Sequence, residues 1–383
     1  HFLVNPRTGR RVRRLGARDV FQRIVSVAWR TGDPGMIFLD TVNRRNPTPG
    51  LGPIAATNPC GEVPLLPYES CNLGSLNLAR FAADGRLDWD RLADRIDWAV
   101  RFLDDVIART RFPLSRIREV TEGNRKIGLG VMGFADVLLE LGIPYDAPEA
   151  VAFARRLMRF IRDRSRRASA ALARERGVFP FQRHARPDLR ARRMRNARVN
   201  TIAPTGTISI LAGCSSGIES LFALSYVRNV LSGTRLFEVN PRFEQAARER
   251  GFYSSELMAE VARRGTVRGL RHVPPDVQRL FATAHDVPPR HHLRIQAAFQ
   301  AATDNSVSKT INLPSETTPE DVRDIYLQAH RMGCKGITVY RYGSKPEQVL
   351  FFGGRSGSAD ASRGFITAAG DYAGGCAGGS CPL

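Results

Sequence analysis

Lysine is almost missing from this chain: only Lys126, Lys309, Lys335 and Lys345 stand among its 57 basic residues. No Gly-Lys-Ser/Thr occurs, which excludes a Walker-type phosphate loop. There are no Cys-x-x-Cys pairs, and the seven histidines show no metal-ligand spacing, so no metal is expected on the chain itself. Long apolar runs are absent too. The most apolar region, Thr201 to Tyr226, is broken by Pro204, several hydroxyl residues and Glu219, so no membrane partner is expected. The chain opens on His1 rather than Met, and HFLVNPRTGR reads as the middle of a loop. The expectation is a piece of a longer protein, for which the absence of a signal peptide says nothing.

Charge is abundant, but its excess is nearly all arginine. The formal charge of +20 invites a nucleic-acid reading. The arginine skew instead suits a GC-rich coding bias, and the densest cluster, Arg155 to Arg198, runs mostly along a predicted amphipathic helix, where it forms a solvated face. No helix-turn-helix, zinc-finger or RNA-recognition signature accompanies it, so nucleic acid is not an expected partner. A basic surface does suit attraction of a phosphorylated substrate.

With 43% hydrophobic residues and 25% charge over 383 positions, the chain can bury a sizeable core. Helical periodicity predicts helices over 18–32, after Asp88 (Leu92, Ile96, Val100, Leu103, Ile107), over FADVLLEL and from about Asp146 to Gly177. Strands are expected at 75–81, 125–130, 198–203 and 336–342. This interleaving defines an α/β class with no internal repeat. Six cysteines in so long a chain are no disulfide scaffold; Cys214 and Cys334 lie in apolar surroundings and read as core thiols. From Phe352 the chain turns to Gly, Ala and Ser and ends in Cys376-Ala-Gly-Gly-Ser-Cys381-Pro-Leu. Two thiols on such a tether can enter a buried site and exchange disulfides there. A tail with incidental cysteines is the other reading.

Three motifs carry chemistry. Asn58-Pro59-Cys60-Gly61-Glu62 cannot be helical, and Cys71 follows eleven residues after Cys60. The expectation is an extended loop in which Asn58, Cys60 and Glu62 share a face: an amide that bonds a hydroxyl, a thiol that attacks or abstracts, and a carboxylate that takes a proton. Pro204-Thr205-Gly206-Thr207-Ile208-Ser209 follows one strand candidate and opens a helix, offering hydroxyls and free N–H groups to a phosphate. An N-cap turn has the same physics, and local sequence leaves both open. Gly128-Leu-Gly130-Val-Met-Gly133 matches a dinucleotide fingerprint, but little room follows for the second parallel strand and its acidic residue; close strand–helix packing explains these glycines better.

Together these features resemble the catalytic subunit of ribonucleotide reductase. The segments TNPCGEVPLLPYESCNLGSLNLARF, NRKIGLGVMGFADVLLELGIPYD, NTIAPTGTISILAGCSSGIESLFAL and NSVSKTINLPSETTPEDVRDIYLQAHRMGCKGITVYRYGSK carry the likeness over most of the chain. The resemblance implies a ten-stranded α/β barrel, of which residues 1–350 hold the finger loop and second half-barrel, with 351–383 a flexible tail. It makes Cys60 the thiyl site that takes the ribose 3′ hydrogen, Glu62 the base for the 3′-hydroxyl, and Asn58 a hydrogen-bond partner of the sugar. Pro59 and Gly61 would flank the substrate, and 204–209 would hold its phosphates. Cys71 would be one of two reducing thiols, re-reduced by Cys376 and Cys381, which pass oxidation to thioredoxin or a similar reductant.

Thr338-Val339-Tyr340-Arg341-Tyr342 lacks the adjacent tyrosines of members with a separate radical subunit, and Pro59 and Gly61 resemble the adenosylcobalamin-dependent class. Adenosylcobalamin is therefore the expected cofactor, a ribonucleotide the substrate, and the location cytoplasmic. The partner thiol of Cys71, the effector nucleotide site and much of the cobalamin surface belong to a part upstream of His1. A homodimer is compatible with the resemblance. The alternatives are the large subunit of a two-component reductase, or an inactive basic fragment that binds nucleic acid.

Overall fold

The computed structural model describes residues 2–230, 234–344 and 367–368. The tail thiols Cys376 and Cys381 lie outside the described residues. The first residues form a short hairpin, Phe2–Val4 against Arg11–Arg14, rather than a plain loop. Helix α1 (Ala17–Thr31) follows and ends on Gly32 in the left-handed region. Strand β1 (Met36–Ile37) then leads toward a second hairpin, β2 (Ala56–Thr57) and β3 (Pro64–Leu65), whose tip carries residues 58–63.

Five parallel strand segments, each adjacent to its neighbour in the chain, make the central sheet. Strand β4 (Asn72–Asn77) pairs in parallel with β5 (Ile127–Met132), from Asn72 opposite Ile127 to Asn77 opposite Met132. The third segment, 198–202, is bridged to β5 at Leu129 and, through Ile202, to Val307 on its other side. Strand β6 (Thr310–Leu313) continues from there and pairs in parallel with β7 (Gly336–Arg341), which β1 caps in antiparallel fashion. The sheet does not close on itself among the described residues, as expected of half a barrel. The expected strand at 75–81 is in fact shifted: it begins at Asn72 and gives way to a 3-10 turn at Leu78–Phe81, capped by the Asn77 side chain.

Helices cover one face. Helix α2 (Trp89–Arg109) starts where Asp88 accepts the Arg91 N–H, and buries Leu92, Ile96, Val100, Leu103 and Ile107, the five residues its periodicity singles out. Burying each contributes roughly 1.5–3 kcal/mol. After α3 (Ser115–Asn124) and β5 comes α4 (Phe134–Glu140); then α5 (Pro148–Arg176) packs Ala154, Leu157, Met158 and Ile161 into the same core. Its arginine-rich side faces outward, as a charge run on a helix does. Helix α6 (Gly206–Ala212) sits at the end of the third strand segment. Helices α7 (Pro289–Gln300) and α8 (Pro319–Arg331) complete the connections to β6 and β7. A second core joins α1, α8, β6 and β7, with Cys334 buried in it as expected.

The glycines of β5 explain themselves by strand packing. A Cβ on Gly130 would sit 2.5 Å from the Thr201 carbonyl oxygen, and one on Gly128 would sit 2.4 Å from Leu73. The close contact is between neighbouring strands, not strand and helix. Nor is the start of α4 open to a pyrophosphate: Gly133 and Phe134 donate their N–H groups to the Ser215 and Gly217 carbonyls.

One buried ion cluster ties the sheet to its helices. Asp104 accepts from Arg125 at 2.8 Å and from Asn196 at 3.0 Å, with Arg176 and Arg195 each at 3.3 Å. Burial raises its pKa, but the Arg125 bond and charge, aided by Arg195 and Asn196, outweigh this and hold it below the usual carboxylate value. A depressed carboxyl adds stability above its unfolded pKa and loses it as pH falls through the folded one. Asp104→Asn should therefore cost about 3–5 kcal/mol near neutrality, because the arginines lose their buried partner. The deficit should shrink as pH falls below 4. Denaturant unfolding of the full-length protein and the variant across pH checks this; a deficit constant with pH would contradict it.

Candidate active site

The finger hairpin places the thiol motif, though not as an extended chain. Gly61 takes φ +78 and its N–H bonds the Asn58 carbonyl at 3.0 Å, so residues 58–61 form a tight turn. Asn58 secures that turn, its Oδ1 accepting the Val63 N–H at 2.9 Å. Pro59 is exposed at the tip, Asn58, Cys60 and Gly61 are half-buried, and Glu62 is buried at 2% exposure. The turn still brings Asn58 and Glu62 together: burial raises the Glu62 pKa, and a hydrogen bond from the Asn58 side chain partly offsets that rise. Glu62 Oε2 is buried without a hydrogen-bond partner. An unbonded carboxylate oxygen in such a place is an acceptor held ready for a ligand hydroxyl.

Two contacts lock the finger onto the sheet. The Glu62 carbonyl accepts the Ser306 N–H at 2.8 Å and the Thr201 hydroxyl at 2.6 Å. At the finger base, Lys126 donates to Glu69 Oε2 at 2.6 Å and to the Pro64 carbonyl at 3.2 Å. Glu69 in turn accepts the Leu66 N–H at 2.8 Å and the Asn124 amide at 2.6 Å. Both members of the ion pair are buried.

Cys71 stands just before β4, between two anchored residues. Ser70 bonds Thr121 of α3, and the Asn72 amide donates to the Leu103 carbonyl of α2. The Cys71 thiol faces the Asn72 carbonyl at 3.5 Å. Burial pushes its pKa up to about 12; Lys126 pulls it down, while Glu69 and Glu62 add to the rise. Burial and the two carboxylates thus favour the thiol form of Cys71 over the thiolate.

The 204–209 loop lies at the C-terminal end of the third strand segment. Thr205 adopts φ +59, and its hydroxyl accepts the Gly217 N–H at 2.7 Å. Ser209 donates to the Gly206 carbonyl at 2.9 Å and lies 3.0 Å from the Ser216 hydroxyl. These two hydroxyls, expected to face a phosphate, are turned inward to hold 216–217. Thr207 and Ile208 are exposed, Pro204 is half-buried, and the backbone N–H groups of Gly206, Thr207 and Ile208 precede the first helical bond, Ser209 N–H to Thr205 C=O. Cys214, expected in the core, is half-buried beside this loop; burial, then Asp136, raises its pKa to about 11. Among the described residues no cluster of His, Cys, Asp and Glu could hold a metal, and no helix is long and apolar enough to cross a membrane.

Sequence reasoning missed Lys126, Glu69, Thr201 and Ser306. The signal was the scarcity of lysine itself: Lys126, Lys309 and Lys335, the three described, are all buried. Lys309 pairs with Glu219, and Lys335 donates to the carbonyls of Asp304 and Asn305. A compact ammonium suits such small oxygen cages, where a planar guanidinium does not.

An open α/β sheet with a finger hairpin bearing thiol, amide and carboxylate is the arrangement of a reductase barrel, and sequence comparison gives the family. The ribonucleotide reductase barrel-domain model matches residues 3–188 and 182–340, and the chain belongs to that family. A vitamin B12-dependent ribonucleoside-diphosphate reductase of Mycobacterium tuberculosis (strain CDC 1551 / Oshkosh) is 54% identical over 385 residues, covering 100% of this chain and 54% of the relative. One of Thermoplasma acidophilum is 52% identical over 352 residues, covering 92% of the chain and 46% of the relative. The chain thus spans about half the length of the curated relatives it matches. In fold it is similar to the Actinobacillus ureae class Id ribonucleotide reductase alpha subunit, with a TM-score of 0.73 and 24% identity over 85% of this chain and 61% of that one.

The Lys126–Glu69 pair yields a direct test. Lys126→Met strands a buried carboxylate and should cost about 3–5 kcal/mol. Lys126→Arg should not restore it, and amide exchange at Val63 and Leu66 should quicken in both variants. Unchanged exchange in the full-length protein would show that the pair does not hold the finger.

Proposed function

We propose that this chain is the finger-bearing half of an adenosylcobalamin-dependent ribonucleotide reductase and carries the residues that act on the ribose. The observation that carries this reading is the buried Glu62, with its unbonded Oε2, on the same turn as Cys60 and Asn58. A base beside a thiol suits a reaction in which a hydrogen atom leaves a carbon and a proton leaves the hydroxyl on that same carbon. In this reading a Cys60 thiyl takes the 3′ hydrogen, Glu62 Oε2 takes the 3′-hydroxyl proton, and Asn58 bonds the sugar. The 2′-hydroxyl then departs as water. Cys71 and a thiol from the other half deliver two electrons and two protons and become a disulfide. Cys376 and Cys381 would re-reduce that disulfide in exchange with thioredoxin or a similar dithiol. The N–H groups at the start of α6 and the exposed Thr207 would receive the substrate phosphates, flanked by Pro204 and Ile208. The effector nucleotide, any homodimer contact and the cytoplasmic location complete the proposal.

Adenosylcobalamin, when bound, supplies the radical that the protein cannot make itself. The chain suits it in two ways. Cys60 is half-buried on a turn whose tip, Pro59, is exposed, and Arg341 separates Tyr340 from Tyr342 in the sequence. The relatives above 50% identity are also named for vitamin B12 dependence.

The full-length protein, under anaerobic conditions with adenosylcobalamin, ribonucleotide and effector, should give a coupled cobalt–thiyl electron paramagnetic resonance signal that vanishes in Cys60→Ala. Deoxynucleotide formation only after a metal–radical subunit is added would instead favour the two-component class. The pH profile provides a second check. Because Glu62 is raised, the acid limb of kcat should lie above the ordinary carboxylate range. Removing the amide that lowers it, in Asn58→Ala, should move the limb further up. A limb at the ordinary value in both would argue against Glu62 as the base.

A further inference from the structure

The N-terminal end of the central sheet holds a second concentration of charge, away from the finger and the 204–209 loop. Residue 198 opens the third strand segment and Asp304 precedes the fourth, whereas the 204–209 loop follows the third at its far end. Here a cavity of about 250 Å³ is lined by six arginines: Arg45, Arg162, Arg166, Arg186, Arg192 and Arg198. Only two carboxylates, Asp188 and Asp304, line it with them.

The pairing leaves positive charge over. Arg166 bonds Asp304, and Arg198 lies 3.7 Å from the same carboxylate. Arg186 takes Asp188 at 3.2 Å and the Arg44 carbonyl. Arg162 turns to Asp163 at 2.8 Å, on an adjoining recess that shares Arg162, Arg166 and Arg192. Arg45 and Arg192 make no direct side-chain hydrogen bond or salt bridge to the described residues, although the charge of Arg192 acts on Asp188. Burial pulls the Arg198 pKa down, as do the like charges of Arg166 and Arg186, against the opposing pull of Asp304. Six guanidinium groups around one cavity, two of them without a direct bond, suit an acidic ligand rich in oxygens. Planar forks match phosphate oxygens two at a time. The uncharged part of the lining, Pro47, Leu189, Met194 and small residues, contains no aromatic ring on which a base could stack.

We propose that this cavity binds a polyphosphate chain through its phosphates alone, either free or as the phosphates of a nucleotide. Arg45 and Arg192 close on the end left open by the internal pairs. Both are exposed, so their replacement does not disturb the core.

Isothermal titration of the full-length protein with inorganic tripolyphosphate tests this. Arg45→Gln/Arg192→Gln should lose one binding site or weaken it at least tenfold, and Arg192→Gln alone should weaken it less. Arg174→Gln, an exposed arginine of α5 outside the cavity, should leave it unchanged. Affinity for the site should fall steeply with added salt. Competition by adenosine triphosphate would identify the ligand as nucleotide phosphates, and absence of competition would identify a free polyphosphate. Equal affinity and stoichiometry in the double variant, with its unfolding midpoint intact, would overturn the proposal.

Discussion

The arrangement depends on one buried ion pair. Lys126 stands at the first turn into β5 and reaches Glu69 and the Pro64 carbonyl at the base of the finger. Two charges taken out of water are costly unless every remaining valence is used. Here Leu66 and Asn124 bond the carboxylate, and the Pro64 carbonyl accepts a second proton of the ammonium. The pair therefore acts less as added stability than as a register pin: it permits one relation between sheet and finger and penalises others. The same two charges set the electrostatic surroundings of Cys71, so the device that positions the finger also tunes the neighbouring thiol.

From that pin the geometry follows outward. Thr201 and Ser306, on adjacent strand segments, both bond the Glu62 carbonyl, which fixes the residue's backbone while leaving one carboxylate oxygen open. Gly130 lets the Thr201 carbonyl approach β5 closely enough to place that hydroxyl. At the other end of the same segment, Thr205 and Ser209 use their hydroxyls to brace the loop, leaving Thr207 exposed at the α6 start. Rigid backbone placed by strands, with the reactive groups at turns between them, is how an α/β sheet holds a site.

Much of this was legible in the residues. The periodicity of α2 and α5 and the Asp88 cap gave those helices nearly to the residue, because amphipathic burial is a local pattern. The finger was legible as chemistry but not as shape: Pro59 and Gly61 ruled out a helix, yet whether they make an extended run or a turn depends on Val63 and Asn58 closing the hairpin. The segment 198–203 pairs on both sides but only through isolated bridges, so its strand pattern is shorter than its alternation suggests. Thr201 and Ser306 were invisible because a hydroxyl that bonds a carbonyl 139 residues away, or a backbone N–H that bonds the same carbonyl, leaves no local trace. The lysines left one, though it took the burial of all three described to read it.

The order of the sheet has a consequence for how the chain is made. Its five parallel segments join neighbours in the order of synthesis, so each new strand adds to an edge already present. Residues 36–38 are the exception: they pair with β7, and the Phe38 N–H bonds the Lys335 carbonyl, nearly three hundred residues later. The segment leading into the finger can dock only after β7 exists. A nascent or half-folded chain thus carries Cys60 and Glu62 unaligned. The last strand of the central sheet acts as a latch, so that the finger is set in place only once the parallel segments behind it are paired.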